Sequence, residues 1–227
     1  MAATPQTTDV IEHVLKGKAV PEFHQLNSNW TFYYLIPNRL NAERTVNWKT
    51  YLKILHDFNT FEDFWAIVDS IEPPSRLQKG CRYYIFKKGI EPLWEDPKNN
   101  GGKEISIEYR LPSFTNNKDK RGKNNHEQIE KIQQQKEIMK KCQDKWIDLC
   151  MAVFCNHPNY FKATDKINGI EYNCRAGIIK VGIWTKQIDE KDFTSIKDDL
   201  HRVMEYVEGS KECYPKESEI TLDRVTP

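Results

Sequence analysis

An α+β fold with a curved, mainly antiparallel sheet and three helices is what the chain predicts, and three observations carry the prediction. Short β-forming runs recur without the regular strand–helix alternation of a parallel sheet. One segment opens on a capping-box pattern and continues at helical spacing. A long stretch from about 126 to 155 repeats apolar residues at helical spacing. With 227 residues, 38% of them hydrophobic and 11% aromatic, the chain is long enough to bury one substantial core. Residues 21–227 are therefore expected to form a single domain behind a flexible tail at 1–20.

The elements follow in order. Trp30-Thr31-Phe32-Tyr33-Tyr34-Leu35-Ile36 is rich in β-formers and stops at Pro37, which predicts a strand. Thr60-Phe61-Glu62-Asp63 caps a helix whose Phe64, Trp65, Ile67 and Val68 share one side, and Pro73-Pro74 closes it. Arg82-Tyr83-Tyr84-Ile85-Phe86 is a second strand. Glu104–Arg110 alternates polar and apolar, as a half-exposed strand should. Residues 113–141 form a polar insertion with eight Lys/Arg against four Asp/Glu. Its first half predicts a loop. Its second half enters a long amphipathic helix through Ile129, Ile132, Met139, Cys142, Trp146, Cys150 and Val153. The charge run reads as a solvated loop and helix face, with contact to an RNA backbone as the sharper alternative. Glu171–Arg175 and Ile178–Trp184 read as paired strands around a turn near Ala176-Gly177. Residues 190–207 predict a last helix through Phe193, Ile196, Leu200, Val203 and Val207, and Glu219–Leu222 a last strand.

Composition narrows the function. Thirty-four basic residues against 33 acidic ones leave a net charge of +1. That balance argues against broad nonspecific polyanion binding while leaving room for a local basic pocket. No run of 18 apolar residues predicts a membrane helix, and the first residues lack the apolar core of a secretory signal. The cysteines at 81, 142, 150, 155, 174 and 213 form no CxxC pair, and Cys150, Cys155 and His157 lack zinc-ligand spacing. Unpaired thiols, no metal and a reducing compartment are expected: the cytoplasm, with the nucleus as a second location. The chain carries no GxSxG, HExxH, P-loop or Rossmann glycine pattern, so neither an enzyme nor a cofactor is expected. The plentiful carboxylates leave a hidden acid–base pair open.

The aromatic residues are more telling. Of six tryptophans, most are expected in the core. Trp94 resists that reading, because GIEPLWEDPKNNGG (89–102) is almost all turn formers and acids around it. Trp48 also sits in polar surroundings. Two loop tryptophans can clamp a flat ligand, and Glu95 can accept two hydrogen bonds from adjacent N–H donors, such as guanine N1–H and its exocyclic amine. Stacking contributes roughly 1–3 kcal/mol per base. A positive charge on the base would add cation–π attraction and strengthen the bonds to the carboxylate.

That loop resembles the signature loop of the eukaryotic translation initiation factor 4E family, the messenger-RNA cap-binding proteins. FEDFWA at 61–66, Gly80-Cys81, the early His24–Trp30 stretch, Trp48, and Asn173–Ala176 through Ile183-Trp184-Thr185 follow in the family's order. The resemblance covers about residues 22 to 207. It implies a cupped sheet with three long helices on its convex face and a slot for 7-methylguanosine on its concave face. By this resemblance Trp48 and Trp94 sandwich the base and Glu95 reads its edge. Trp184 packs near the N7-methyl group, and Arg175, Lys180 and Lys103 hold the triphosphate. The convex face would take a Tyr-x-x-x-x-Leu-hydrophobic helix of scaffold factor 4G, or of a repressor that mimics it, on His24, Phe61, Trp65, Ile147, Asp148 and Met151. Trp146 is assigned to the core. The implied partners are capped mRNA and that scaffold, and a monomer is expected.

The chain departs from the family pattern at several places. Gln25 stands where the family has Pro, and Glu104 follows Lys103 where the family has Trp. Gly177 replaces a basic phosphate contact, and the 113–141 insertion is longer than in most members. A divergent cap-binding paralogue that represses translation is the alternative these departures raise.

Overall fold

The structure is a computed structural model and describes residues 23–36, 48–113 and 124–205. The expected tail at 1–20, the strand at Glu219–Leu222, most of the predicted loop after residue 113, and Cys213 lie outside the described residues. Among the described residues, six strands make one open sheet in the order β2-β1-β3-β5-β6-β4. They are β1 (Gln25–Leu35), β2 (Leu52–Thr60), β3 (Arg82–Lys87), β4 (Glu104–Arg110), β5 (Ile167–Arg175) and β6 (Ile178–Thr185). Every neighbouring pair is antiparallel. Three helices, α1 (Phe61–Ser70), α2 (Asn124–Cys155) and α3 (Glu190–Glu205), cover one face. Among the described residues, no helix is long and apolar enough to cross a membrane.

Local chemistry sets the boundaries. β1 begins earlier than its apolar run implies, because Gln25 already pairs with Thr60 of β2. Thr60 is in extended conformation and its hydroxyl accepts from the Asp63 amide at 3.1 Å, so it caps α1 as its sequence predicts. At Gly80, φ is +92°, a conformation that suits glycine. Its amide donates to the Cys174 carbonyl, and the Cys174 amide donates to the Cys81 carbonyl. This glycine bulge sends the chain into β3.

The helix face of the sheet holds the main core. Trp30, Phe32, Tyr83, Ile85, Tyr172 and Ile183 pack there against Phe64 of α1, Trp146 and Phe154 of α2, and Ile196 and Leu200 of α3. Trp146 is fully buried, as expected. The apolar stripe of α2 is only partly used. Ile129 and Ile132 are 61% and 44% exposed, and burial begins near Ile138 and Met139. The helix spans 32 residues, and among the described residues its stripe packs on the core only from about Ile138 onward, although periodicity alone marks the whole of it as core-facing. None of the five described cysteines forms a disulfide.

Candidate functional site

Strand alternation places a second set of side chains on the opposite face of the sheet. The registers Tyr33↔Tyr84↔Glu171↔Gly182↔Ser106 run straight across it. This face has two halves. Tyr33, Leu35, Tyr84, Phe86 and Trp184 form an aromatic cluster that Ile90, Tyr51 and Leu52 extend. Beyond it lie Arg82, Glu171, Asn173, Lys180, Glu104, Glu108 and Arg175, all on the same face by register. The expectation that Glu104–Arg110 is a half-exposed strand is corrected here. Ser106 is 1% exposed and the Glu104 side chain 9%, because the polar face of β4 lines this floor and not the open surface.

The loop at 88–103 stands over the aromatic half and is held by a polar network. Asn99, fully buried, donates from its amide to the Glu91 and Leu93 carbonyls, both at 2.8 Å. Asn168 of β5 donates to the Lys98 carbonyl and to the Asn99 side-chain oxygen. The Asp96 carboxylate accepts from the Glu91 and Lys98 amides. A side chain at Gly102 would run into the Thr185 carbonyl, so the loop lies directly on β6. These bonds make the loop a fixed platform for Trp94 and Glu95.

Trp94 is half-buried and stacks on Trp184, ring centres 3.9 Å apart and planes 20° apart. Trp184 is fixed from below: its indole N–H donates to Glu171 at 2.9 Å, and the Asn173 amide donates to the same carboxylate at 2.7 Å. Glu95 is exposed. Trp48 begins a 3-10 turn, Trp48–Tyr51, and Lys49 in that turn reaches Glu91 of the platform loop at 2.5 Å. The structure thus joins the two loops that carry Trp48 and Trp94.

The three basic residues are each engaged with a carboxylate. Lys180 pairs with Glu104, both nearly buried. Arg175 lies 3.5 Å from Glu108, and Lys103 lies 3.0 Å from Glu190 and over the Phe193 ring. Burial, with Glu171 adding to it against the pull of Lys180 and Arg175, pushes the Glu104 carboxyl up to about 7. Ser106 Oγ, Asn173 Oδ1 and Arg82 Nε make no hydrogen bond within the described residues, so the floor retains hydrogen-bonding capacity.

The other predicted set is distributed over the helix side of the sheet. His24 bonds Glu62 through both its backbone amide (3.0 Å) and its ring (2.7 Å), and the His24 contact holds the Glu62 carboxyl below its ordinary range. Trp65 is 40% exposed and leans edge-on against Phe64, which packs on Phe154 of α2. Phe61, Ile147 and Met151 are half-buried at the margin of the core. Asp148 and Met151 also line an open apolar groove of ≈540 Å³ between α2 and α3.

A family model described as Eukaryotic initiation factor 4E matches residues 25–224. The chain belongs to the eukaryotic initiation factor 4E family. Initiation factor 4E of Candida albicans is 31% identical over 188 residues, which cover 83% of this chain and 77% of that protein. The isoform 4E of Capsicum annuum is 39% identical, covering 79% and 73%. Initiation factor 4E-1 of Caenorhabditis elegans is 31% identical over 74% of this chain but 65% of that protein, so the chain spans just under two thirds of that relative. Among solved structures, Ascaris suum 4E-3 with the m7G cap superposes with a TM-score of 0.60 at 25% identity, over 81% of this chain and 86% of that one. C. elegans 4E-3 with the binding protein Mextli, at 24% identity, has a TM-score of 0.62 and shares the fold over 83% and 90%. The family fold, an open antiparallel sheet backed by three helices, is the one expected from sequence.

Sequence reasoning missed several residues of this 4E-family site. Asn99, Asn168 and Asp96 build the platform, Glu171 orients Trp184, and Glu104 engages Lys180. The only prior signals were the turn-forming asparagines beside Trp94 and the placing of Glu104 where the family has Trp.

Proposed function

We propose that this 4E-family chain binds the 7-methylguanosine cap of messenger RNA in the slot and presents it to a scaffold factor on the helix face. The observation that carries the reading is the platform: a network of side-chain amides fixes the loop backbone that carries Trp94 and Glu95 beside the turn that starts at Trp48. The base would lie between Trp48 and Trp94, with Glu95 accepting from its N1–H and amine. Cap entry would then separate Trp94 from Trp184, replacing one aromatic stack with another. The aromatic half of the floor suits a cationic purine, and the half that carries Arg175, Lys180 and Arg82 suits its phosphates. The relatives solved with the m7G cap and with the m2,2,7G cap support this assignment. On the other face, His24, Phe61, Trp65, Ile147, Asp148 and Met151 would receive an amphipathic helix. The chain acts by binding and carries out no chemical step.

The test is tryptophan fluorescence quenching by 7-methyl-GTP, with GTP as control. Saturable quenching by the methylated nucleotide, far stronger than by GTP, is expected. Equal quenching by both would overturn the cationic-base clamp.

A further inference from the structure

We propose that Glu104 is a proton-dependent competitor for Lys180: as a carboxylate it holds the ammonium away from the incoming triphosphate, and binding proceeds with uptake of one proton onto Glu104 and release of Lys180 to the phosphates. The inference rests on the cap-binding reading and concerns how the same slot is regulated.

The charges of the floor make the case. Arg82, Arg175 and Lys180 share it with three carboxylates, Glu104, Glu108 and Glu171. A site for a polyanion therefore has no surplus positive charge while all three acids are ionised. The Arg175 pair leaves the arginine side chain 44% exposed, so a phosphate can reach it without opening a buried contact. The Lys180 pair differs: its two side chains are 7% and 9% exposed, so the ammonium reaches a phosphate only by leaving Glu104. Stripping a lysine from a buried carboxylate leaves that carboxylate uncompensated, which is costly unless it takes a proton.

The geometry lets the exchange happen. Glu104 is opposite Trp184 in register, and Lys180 is opposite Glu108, so the lysine arm runs along the floor past Gly182. Gly182 is held close to β4, and any side chain there would meet Ser106. Ser106 Oγ and Asn173 Oδ1, both without a hydrogen bond among the described residues, sit on the same face and can receive hydrogen bonds from the released ammonium or from a protonated Glu104. The groups that face Glu104 are Lys180 and Trp184 on β6, Glu108 on β4, Glu171 and Arg175 on β5, and Arg82 and Tyr84 on β3. Burial and Glu171 already hold the Glu104 carboxyl near neutrality.

The linkage has one sign. A bound triphosphate adds negative charge and withdraws Lys180, and both changes raise the affinity of Glu104 for a proton. Binding therefore takes up a proton. Triphosphate affinity rises as pH falls through the range where the free protein keeps Glu104 ionised and the complex does not.

The experiment titrates the full chain with the capped dinucleotide 7-methyl-GpppG and with 7-methylguanosine nucleoside from pH 8 to pH 6. The base titrates in both ligands, so the ratio of their affinities isolates the phosphates, and the bridging triphosphate has no terminal phosphate group to titrate. The expected result is that this ratio grows roughly tenfold over the range. Calorimetry in two buffers of different ionisation enthalpy should show more proton uptake with the dinucleotide than with the nucleoside, whose uptake reports the base alone. Glu104→Gln should hold the ratio high and flat with pH. If that variant does not fold, the excess proton uptake of the wild-type chain with the dinucleotide over the nucleoside decides alone. A flat ratio with no excess proton uptake by the dinucleotide, in a wild-type chain that still prefers the methylated base, would overturn the inference and leave cap binding intact. A wild-type chain with no such preference would overturn both.

Discussion

Glu95 stands exposed beside a half-buried tryptophan and makes no hydrogen bond or ion pair within the described residues, although its neighbour Asp96 is fully committed to the loop. That contrast separates a carboxylate that builds the platform from one that the platform presents. Hydrogen bonds to a charged acceptor contribute about 1.5–3 kcal/mol each. Glu95→Ala removes two such proposed bonds and is therefore expected to lower affinity for 7-methyl-GTP by roughly a hundredfold or more while leaving thermal stability unchanged. Fluorescence titration beside a melting curve checks both. Unchanged affinity would remove Glu95 from the proposed contact. Aromatic–acid adjacency made Trp94 and Glu95 legible in the sequence. Asn168 was not legible, because its amide becomes structural only when the fold brings it to the Lys98 carbonyl 70 positions away, and Asn99, which bonds Glu91 and Leu93 within its own loop, showed in the sequence only as one turn former among several.

The elements show the same division between local and distant causes. The α1 cap is local: Thr60 Oγ1 accepts the Asp63 amide, and both residues stand in one short motif. Thr60→Ala should cost about 1 kcal/mol of stability, read as a lower denaturation midpoint with an unchanged slope. A loss within error would mean that the contact of His24 with Glu62 holds the helix start without the cap. In contrast, α2 could be placed from its period but not divided. The same apolar spacing runs through Ile129, Ile132, Cys142 and Trp146, yet only the later residues meet the sheet. β4 carries the converse lesson. Alternation marks two faces correctly, but whether the polar face meets water depends on what stands over it.

At the scale of the molecule, one sheet separates two surfaces. The helix face buries a large aromatic core and leaves Trp65 at its margin, while the slot face carries Trp94, Trp184 and the charged floor. Separation by a packed core predicts independence. Trp65→Ala should weaken binding of a Tyr-x-x-x-x-Leu-hydrophobic helix peptide by more than about 2 kcal/mol, roughly thirtyfold, with 7-methyl-GTP affinity unchanged. A pull-down with that peptide also separates an initiation factor from a repressor. Absence of Trp65-dependent binding would favour the repressor reading raised by Gln25.

The sequence by itself determined the family, the three helices and five of the six described strands, with β2 (Leu52–Thr60) unanticipated, because periodicity, capping and the signature loop are encoded within a few neighbouring residues. The tertiary structure alone decided which charges meet. Glu104 and Lys180 are 76 positions apart, and nothing in either neighbourhood marks them as partners. Antiparallel pairing of β4 with β6 puts them on one floor, and burial then removes the water that would otherwise screen their attraction.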